Sequence, residues 1–344
     1  MLHRGEPSWD ELMTMLDAFE RCGIKGINLT GGEPDVRSDF WQLVDEILSR
    51  GMIIPVIFSN GLLITDAFLD KLEERHIHPT IQLSFDGVGW HDWLRGIPGA
   101  EKIALDAFRR CHERRFPTAA SMVLFRENKD SIRETANLLA SLGVGSLKTG
   151  RTVEQGEWNR YKDNTLTLAE LFETYLEYIP HYFEDGMPLT LSLDAFFIYD
   201  KTEKKMFSAY EKNIPEEYFG KVLMCGHVRR ELYVSPKGGV LPCMSMVESA
   251  IEEQFPNMLE TPLEEILDKG SLYMDVINYR ISDFIAHNPE CAACEYRTLC
   301  CGGCRALAQQ DHPGDYLAKD EIICEYYKGG WHKKRTELLK NLGY

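Results

Sequence analysis

The stretch Cys291-Ala292-Ala293-Cys294-Glu295-Tyr296-Arg297-Thr298-Leu299-Cys300-Cys301-Gly302-Gly303-Cys304 has the spacing C-x2-C-x5-C-x3-C, and Cys324 follows it. Upstream, Cys225 is followed by twelve residues, Gly238, four residues and Cys243, which completes a set of seven cysteines placed by rule. Thiolates are soft ligands that suit zinc and iron-sulfur clusters, and a cubane cluster needs up to four of them converging from near and distant positions. A C-x2-C pair taken alone fits tetrahedral zinc equally well, so a zinc-binding scaffold is the competing reading. The N-terminus, with His3, Arg4, Glu6, Asp10 and Glu11, has no apolar export segment, and the expected location is cytoplasmic. In that reducing compartment the ten cysteines of the chain read as metal ligands and core thiols rather than a disulfide framework.

Working outward, 344 residues with 44% apolar content predict one large domain and a smaller one. The first half alternates helical and strand patterns in the rhythm of a parallel α/β sheet or barrel. Strands are expected at 26–30, 55–59, 80–85, 118–125 and 146–149. Ser8 with Glu11, and Thr167 with Glu170, form capping boxes ahead of amphipathic helices. The boundaries expected are 1–185 for the barrel, 186–224 for a connector containing the charged run 201–205, and 225–344 for the cysteine-rich domain. Within the last, Pro236, Gly238 and Gly239 split a β pattern and predict a hairpin. The net charge of −16 argues against binding to a nucleic-acid backbone. No apolar run approaches the roughly 20 residues of a membrane span.

Four short motifs fall at the ends of the expected strands: Thr30-Gly31-Gly32-Glu33-Pro34, Ser59-Asn60-Gly61, Ser84-Phe85-Asp86-Gly87 and His91-Asp92-x2-Arg95. The C-terminal edge of an α/β sheet is where ligands bind, and paired glycines let backbone approach a small polar ligand closely. Each motif alone reads as an ordinary strand-to-helix turn. Together with the cysteines they resemble the radical S-adenosylmethionine (SAM) enzymes that carry a C-terminal SPASM domain. That resemblance implies an α/β fold with a partial (β/α)6, TIM-like barrel followed by a small cysteine-rich domain. It implies that Gly31, Gly32 and Glu33 hold the methionyl amine of SAM, that Ser59, Asn60, Ser84 and Asp86 meet its ribose, and that Arg95 meets its carboxylate. It further implies two auxiliary 4Fe-4S clusters, one on Cys291, Cys294, Cys300 and Cys324 and the other on Cys225, Cys243 and Cys304. Cys301 is a candidate fourth ligand for the second cluster. Cys22 and Cys111 lie on apolar helical faces and are expected in the core.

The resemblance stops at one place. Members of this family begin their chemistry at a third 4Fe-4S cluster held by C-x3-C-x2-C upstream of the paired glycines, and this sequence contains no such spacing. The expectation is a truncated N-terminus, with the first strand and cluster loop outside the sequence and that cluster present only in a longer form. A degenerate relative would have lost Gly32, Glu33, Ser84, Asp86 and the cysteines as well. The implied activity is an oxidoreductase-type maturase that crosslinks or oxidises a ribosomal peptide or protein through a 5'-deoxyadenosyl radical, with a flavodoxin or ferredoxin as reductant. Anaerobic sulfatase maturases also resemble the chain, but Met244 stands where they carry an Asp base. A non-catalytic iron-sulfur electron carrier or peptide-binding protein is the further alternative. No base is identifiable in the pattern; Glu154 and Glu157, after the last expected strand, are candidates.

Overall fold

A computed structural model describes residues 6–152, 156–247 and 249–344, so Glu154 lies outside the described residues. The chain forms two compact units, Gly26–Ala209 with Lys334–Tyr344, and Tyr210–Lys333 with the segment up to Lys25. Helix α1 (Trp9–Arg21) opens with the expected capping box: the Ser8 amide donates to Glu11 at 2.7 Å and the Glu11 amide to the Ser8 hydroxyl at 3.3 Å. Such a cap stabilises a helix by about 1 kcal/mol. Its Met15 and Ala18 pack with Val240, Leu241 and Met246 in the cysteine-rich unit, not in the barrel where α1 was expected. Its apolar stripe shows that one face is buried, not which element covers it.

The larger unit is built on a seven-stranded sheet in sequence order. Strands β1 (Val56–Ser59), β2 (Thr80–Ser84), β3 (Thr118–Leu124), β4 (Ser146–Arg151) and β5 (Thr190–Leu193) run parallel. The segment before them runs alongside β1 through parallel bridges Gly26 to Ile53 and Leu29 to Ile57, so all five expected strand positions carry β pairing. Period-two burial is clearest in β3, where Thr118, Ala120, Met122 and Leu124 are buried in alternation.

Helices α2 (Phe40–Ser49), α3 (Asp66–Glu74), α4 (His91–Arg95), α5 (Ala100–Glu113), α6 (Ile132–Ser141) and α7 (Leu168–Glu184) alternate with the strands. They supply Ile47, Leu72, Phe108, Leu139 and Phe172 to the core, each side chain contributing roughly 2–3 kcal/mol by burial. Cys111 is also fully buried there, as expected, and burial pushes its thiol up to about 12.

The segment expected to be a connector extends the sheet. β5 is followed by antiparallel β6 (Phe197–Asp200) and β7 (Lys205–Phe207), with the turn between β5 and β6 made by Asp194 and Ala195 in left-handed conformation. The charged run expected at 201–205 makes the exposed turn between β6 and β7 and enters β7 at Lys205.

The second unit contains the expected hairpin, β8 (Tyr233–Val234) with β9 (Val240–Leu241). Short helices follow: α8 (Leu263–Ile266), α9 (Leu272–Asn278), α10 (Ile281–His287), α11 (Pro289–Ala292), α12 (Arg297–Cys300), α13 (Arg305–Asp311) and α14 (Glu321–Lys328). None of the described helices is long and apolar enough to cross a membrane.

Candidate functional site

Three of the expected ligand-binding residues meet at the end of β1. The Glu33 carboxylate accepts hydrogen bonds from the Asn60 amide at 2.7 Å and from the Ser59 hydroxyl, which ties the two loops together. Ser59 in turn accepts from the Gly61 amide at 2.9 Å, and the Asn60 side chain accepts from the Leu62 amide at 2.8 Å. Gly31 and Gly32 are exposed, and a Cβ built on either meets nothing within 4 Å. The loop therefore keeps open space directly beside a fixed carboxylate. Sequence reading did not single out Asp35, whose two carboxyl oxygens are buried without a hydrogen-bond partner. Burial, and then the adjacent charge of Glu33, push it up to about 7.

At the end of β2, Ser84 is half-buried, and Asp86 is fully buried. The Asp86 carboxylate accepts from the Arg95 guanidinium at 2.8 Å and from the Val123 amide at 3.1 Å. The His91 ring stands 3.2 Å from the same carboxylate. Buried Asn128 donates to the carbonyls of Asp86 and Val123, both at 2.8 Å, locking the turn after β2 to the end of β3. Nothing in the motif pattern pointed to Asn128. Arg95 is thus brought to the same edge and oriented by Asp86, with about a third of its side chain exposed, 32%. Asp92 holds the start of α5 through the amides of Gly99 and Glu101, both at 2.6 Å, and those bonds lower its pKa. Glu157 is exposed and paired with Arg160 at 2.8 Å.

The cysteine-rich unit is organised around the turn that joins α12 to α13. Cys301, Gly302 and Gly303 are successively left-handed, with φ of 47°, 82° and 75°. A Cβ at Gly302 would lie 2.7 Å from Met224, and one at Gly303 would lie 2.5 Å from Asp320. The buried Asp320 accepts from the amides of Cys304 and Ile322, both at 2.9 Å, so it fastens Cys304 to α14, which carries Cys324.

The thiols fall into two neighbourhoods. Burial pushes Cys300 up to about 12 and Cys291 up to about 11. Cys294 and Cys324 act on both of them electrostatically. Cys304 feels Cys243 instead, and Cys225 shares the neighbourhood of Lys212 and Arg305 with Cys304. Cys22 is half-buried against the same apolar cluster as Cys225 and Cys243. Among the described residues no three His, Cys, Asp or Glu side chains converge tightly enough for a single ion. A cubane spreads its ligands around several irons, so thiols grouped more loosely still fit it. Cys301 differs from the rest: it is fully buried and its thiol donates to the Thr298 carbonyl at 3.3 Å.

Residues 3–139 match the radical SAM superfamily, and residues 225–295 match SPASM, an iron-sulfur cluster-binding domain. The chain thus carries a radical SAM domain and a SPASM domain. An AdoMet-dependent heme synthase of Nitratidesulfovibrio vulgaris is 25% identical over 94% of this chain and 84% of its own. A PqqA peptide cyclase of Granulibacter bethesdensis is 26% identical over 87% of this chain and 74% of its own. Streptococcus suis SuiB bound to S-adenosylmethionine shares the fold, with a TM-score of 0.64 at 16% identity over 94% of this chain and 72% of that one. SuiB has also been solved bound to its precursor peptide SuiA, with a TM-score of 0.62 at 17% identity over 90% of this chain and 69% of that one. The SPASM match, which contains Cys225, Cys243, Cys291 and Cys294, is to an iron-sulfur rather than a zinc domain.

Proposed function

We propose that this protein is a radical SAM maturase that crosslinks or oxidises a ribosomally made peptide or protein. The observation that carries the reading is the join between Glu33 and the Ser59-Asn60 turn, which fixes a carboxylate beside the open Gly31-Gly32 loop. Glu33 accepts the methionyl ammonium of SAM there. In this reading Ser84 would meet a ribose hydroxyl, and Arg95 the methionyl carboxylate in a charge-assisted pair. Asp86, having no exposed surface, serves by holding Arg95. A peptide substrate is supported by the PqqA peptide cyclase relative and the SuiB fold.

Cys291, Cys294, Cys300 and Cys324 would hold one auxiliary 4Fe-4S cluster, and Cys225, Cys243 and Cys304 a second. Cys301, committed to a carbonyl, is a packing residue rather than a fourth ligand. Clusters held by these cysteines would supply a place for the electron released when a crosslink closes, and a further 4Fe-4S cluster would supply the electron needed to split SAM. These 344 residues contain no C-x3-C-x2-C to carry that further cluster. A cytoplasmic flavodoxin or ferredoxin is the fitting reductant.

The test compares the chain alone with the chain joined to an upstream segment bearing C-x3-C-x2-C, both anaerobic and reduced with dithionite. 5'-Deoxyadenosine should form only in the second, and none in either would overturn the catalytic reading in favour of an electron carrier. A second reading, modification of a porphyrin, is favoured by the heme synthase relative. Exposed Met244 weighs against a sulfatase-maturase-type base at that position.

A further inference from the structure

The surroundings of the two thiol neighbourhoods differ in one respect that ligand spacing does not reveal. Lys212 is half-buried and donates its ammonium to the carbonyls of Met224 at 2.8 Å and Gly303 at 3.3 Å, the residues next to Cys225 and Cys304. The thiols of Cys301, Cys225 and Cys304 and the guanidinium of Arg305 act on it electrostatically. Arg305 is itself only 3% exposed; its Nη atoms donate to the carbonyls of Tyr316, Ala318 and Gly302, and its Nε is buried without a hydrogen-bond partner. Asp320 and Asp315 act on it, and Asp320 is already shared among three backbone amides.

A buried cation beside a half-buried one is costly unless negative charge sits beside them. A cluster bound by the thiols of Cys225, Cys243 and Cys304 would supply that charge. By contrast, the cations acting on Cys324 in the other neighbourhood are Lys319 and Lys328, both reaching solvent and screened by it.

We propose that Lys212 is the charge partner of the cluster at Cys225, Cys243 and Cys304, and that it raises that cluster's reduction potential relative to the other. This rests on the division of the cysteines into two clusters given above. A fixed cation stabilises the more negative, reduced form of a cluster, and charge acts most strongly at short range. Lys212 is a positioning residue: its ammonium is held by two carbonyls, one of them in the turn that delivers Cys304.

The experiment uses the full chain, anaerobically reconstituted with iron and sulfide, and reads iron content together with a redox titration followed by electron paramagnetic resonance. C225S and C294S first assign which signal belongs to which set of cysteines. K212M should then move the signal lost in C225S to a more negative midpoint, leave the signal lost in C294S where it is, and keep iron content unchanged. K212R should restore the original midpoint. If K212M loses iron, K212Q, which keeps a donor without the charge, is read in its place. An unmoved midpoint, or an equal shift of both signals, overturns the role of Lys212. If C225S removes neither iron nor a signal, the second cluster itself is refuted and the proposal falls with it.

Discussion

Two glycine pairs stand at the two candidate sites, and they are there for opposite reasons. Gly31 and Gly32 face open space: at Gly32 nothing in the folded protein forbids a methyl group, and at Gly31 only the backbone, with φ of 133°, calls for glycine. Gly302 and Gly303 are left-handed and packed, with Met224, Phe284 and Asp320 already occupying the space a Cβ would need. The first pair leaves room for something the protein does not itself supply. The second makes possible a turn that brings Cys300, Cys304 and the carbonyls of Gly302 and Gly303 to their places. A glycine pair in a motif is therefore evidence of a ligand only where its surroundings are empty.

The sharpest way to break this contrast is to add the same methyl group to both. Gly303→Ala combines a left-handed backbone with a 2.5 Å clash against Asp320 and should cost about 3–5 kcal/mol in chemical denaturation. Iron loading should fall with it. Gly32→Ala should stay within about 0.5 kcal/mol of the parent, while SAM binding, measured by calorimetry on the protein carrying all its clusters, weakens at least about tenfold. Similar stability losses in the two variants would erase the distinction.

A second pair of substitutions extends the comparison to the carboxylates of the barrel edge. Asp86→Ala strands Arg95 and the Val123 amide, and removing one side of a buried charge pair costs about 3–5 kcal/mol. Glu33→Gln, in a half-buried residue that keeps its acceptor oxygen, should cost less than about 1 kcal/mol. Its effect should appear in SAM affinity instead. Thermal unfolding and SAM titration read on both variants separate the residue that holds the site from the one that touches the ligand.

What the sequence disclosed, and what it hid, follows the same physical line. Strands β1 to β4 were legible because their burial alternates and helices with clear apolar stripes separate them. Strands β5 to β7 were not, since the turn at Asp194 and Ala195 adopts left-handed backbone without glycine or asparagine to announce it. The glycine, serine and acid motifs were legible as a set, and the structure brings Glu33, Ser59 and Asn60 together. Asp86 looked the same in sequence as a ligand-contacting acid, and only burial shows that Arg95 and Val123 take its oxygens. Asn128 and Lys212 lie outside every motif because their partners are backbone carbonyls of distant segments, which leave no pattern in spacing.

Asp35 offers the most specific of these effects, and it probes the open side of the comparison through pH. Its carboxyl, buried beside Glu33 without a hydrogen-bond partner, is pushed from an ordinary 3.8 up to about 7. Because the folded state binds this proton more tightly than the unfolded state, the contribution to stability is fully present below about pH 4 and is lost as the pH rises toward and through 7. Asp35→Asn removes the charge that burial disfavours. The variant should gain stability at pH 8 by about 1–2 kcal/mol, the partial solvent access of the site limiting the effect. It should show no gain at pH 4, so the two curves of denaturation midpoint against pH converge on the acid side. A ligand ammonium bound at Glu33 would relieve the repulsion between the two carboxylates. Saturating SAM should therefore narrow the gap at pH 8, and a gap that SAM leaves untouched would place the ligand elsewhere than beside Glu33.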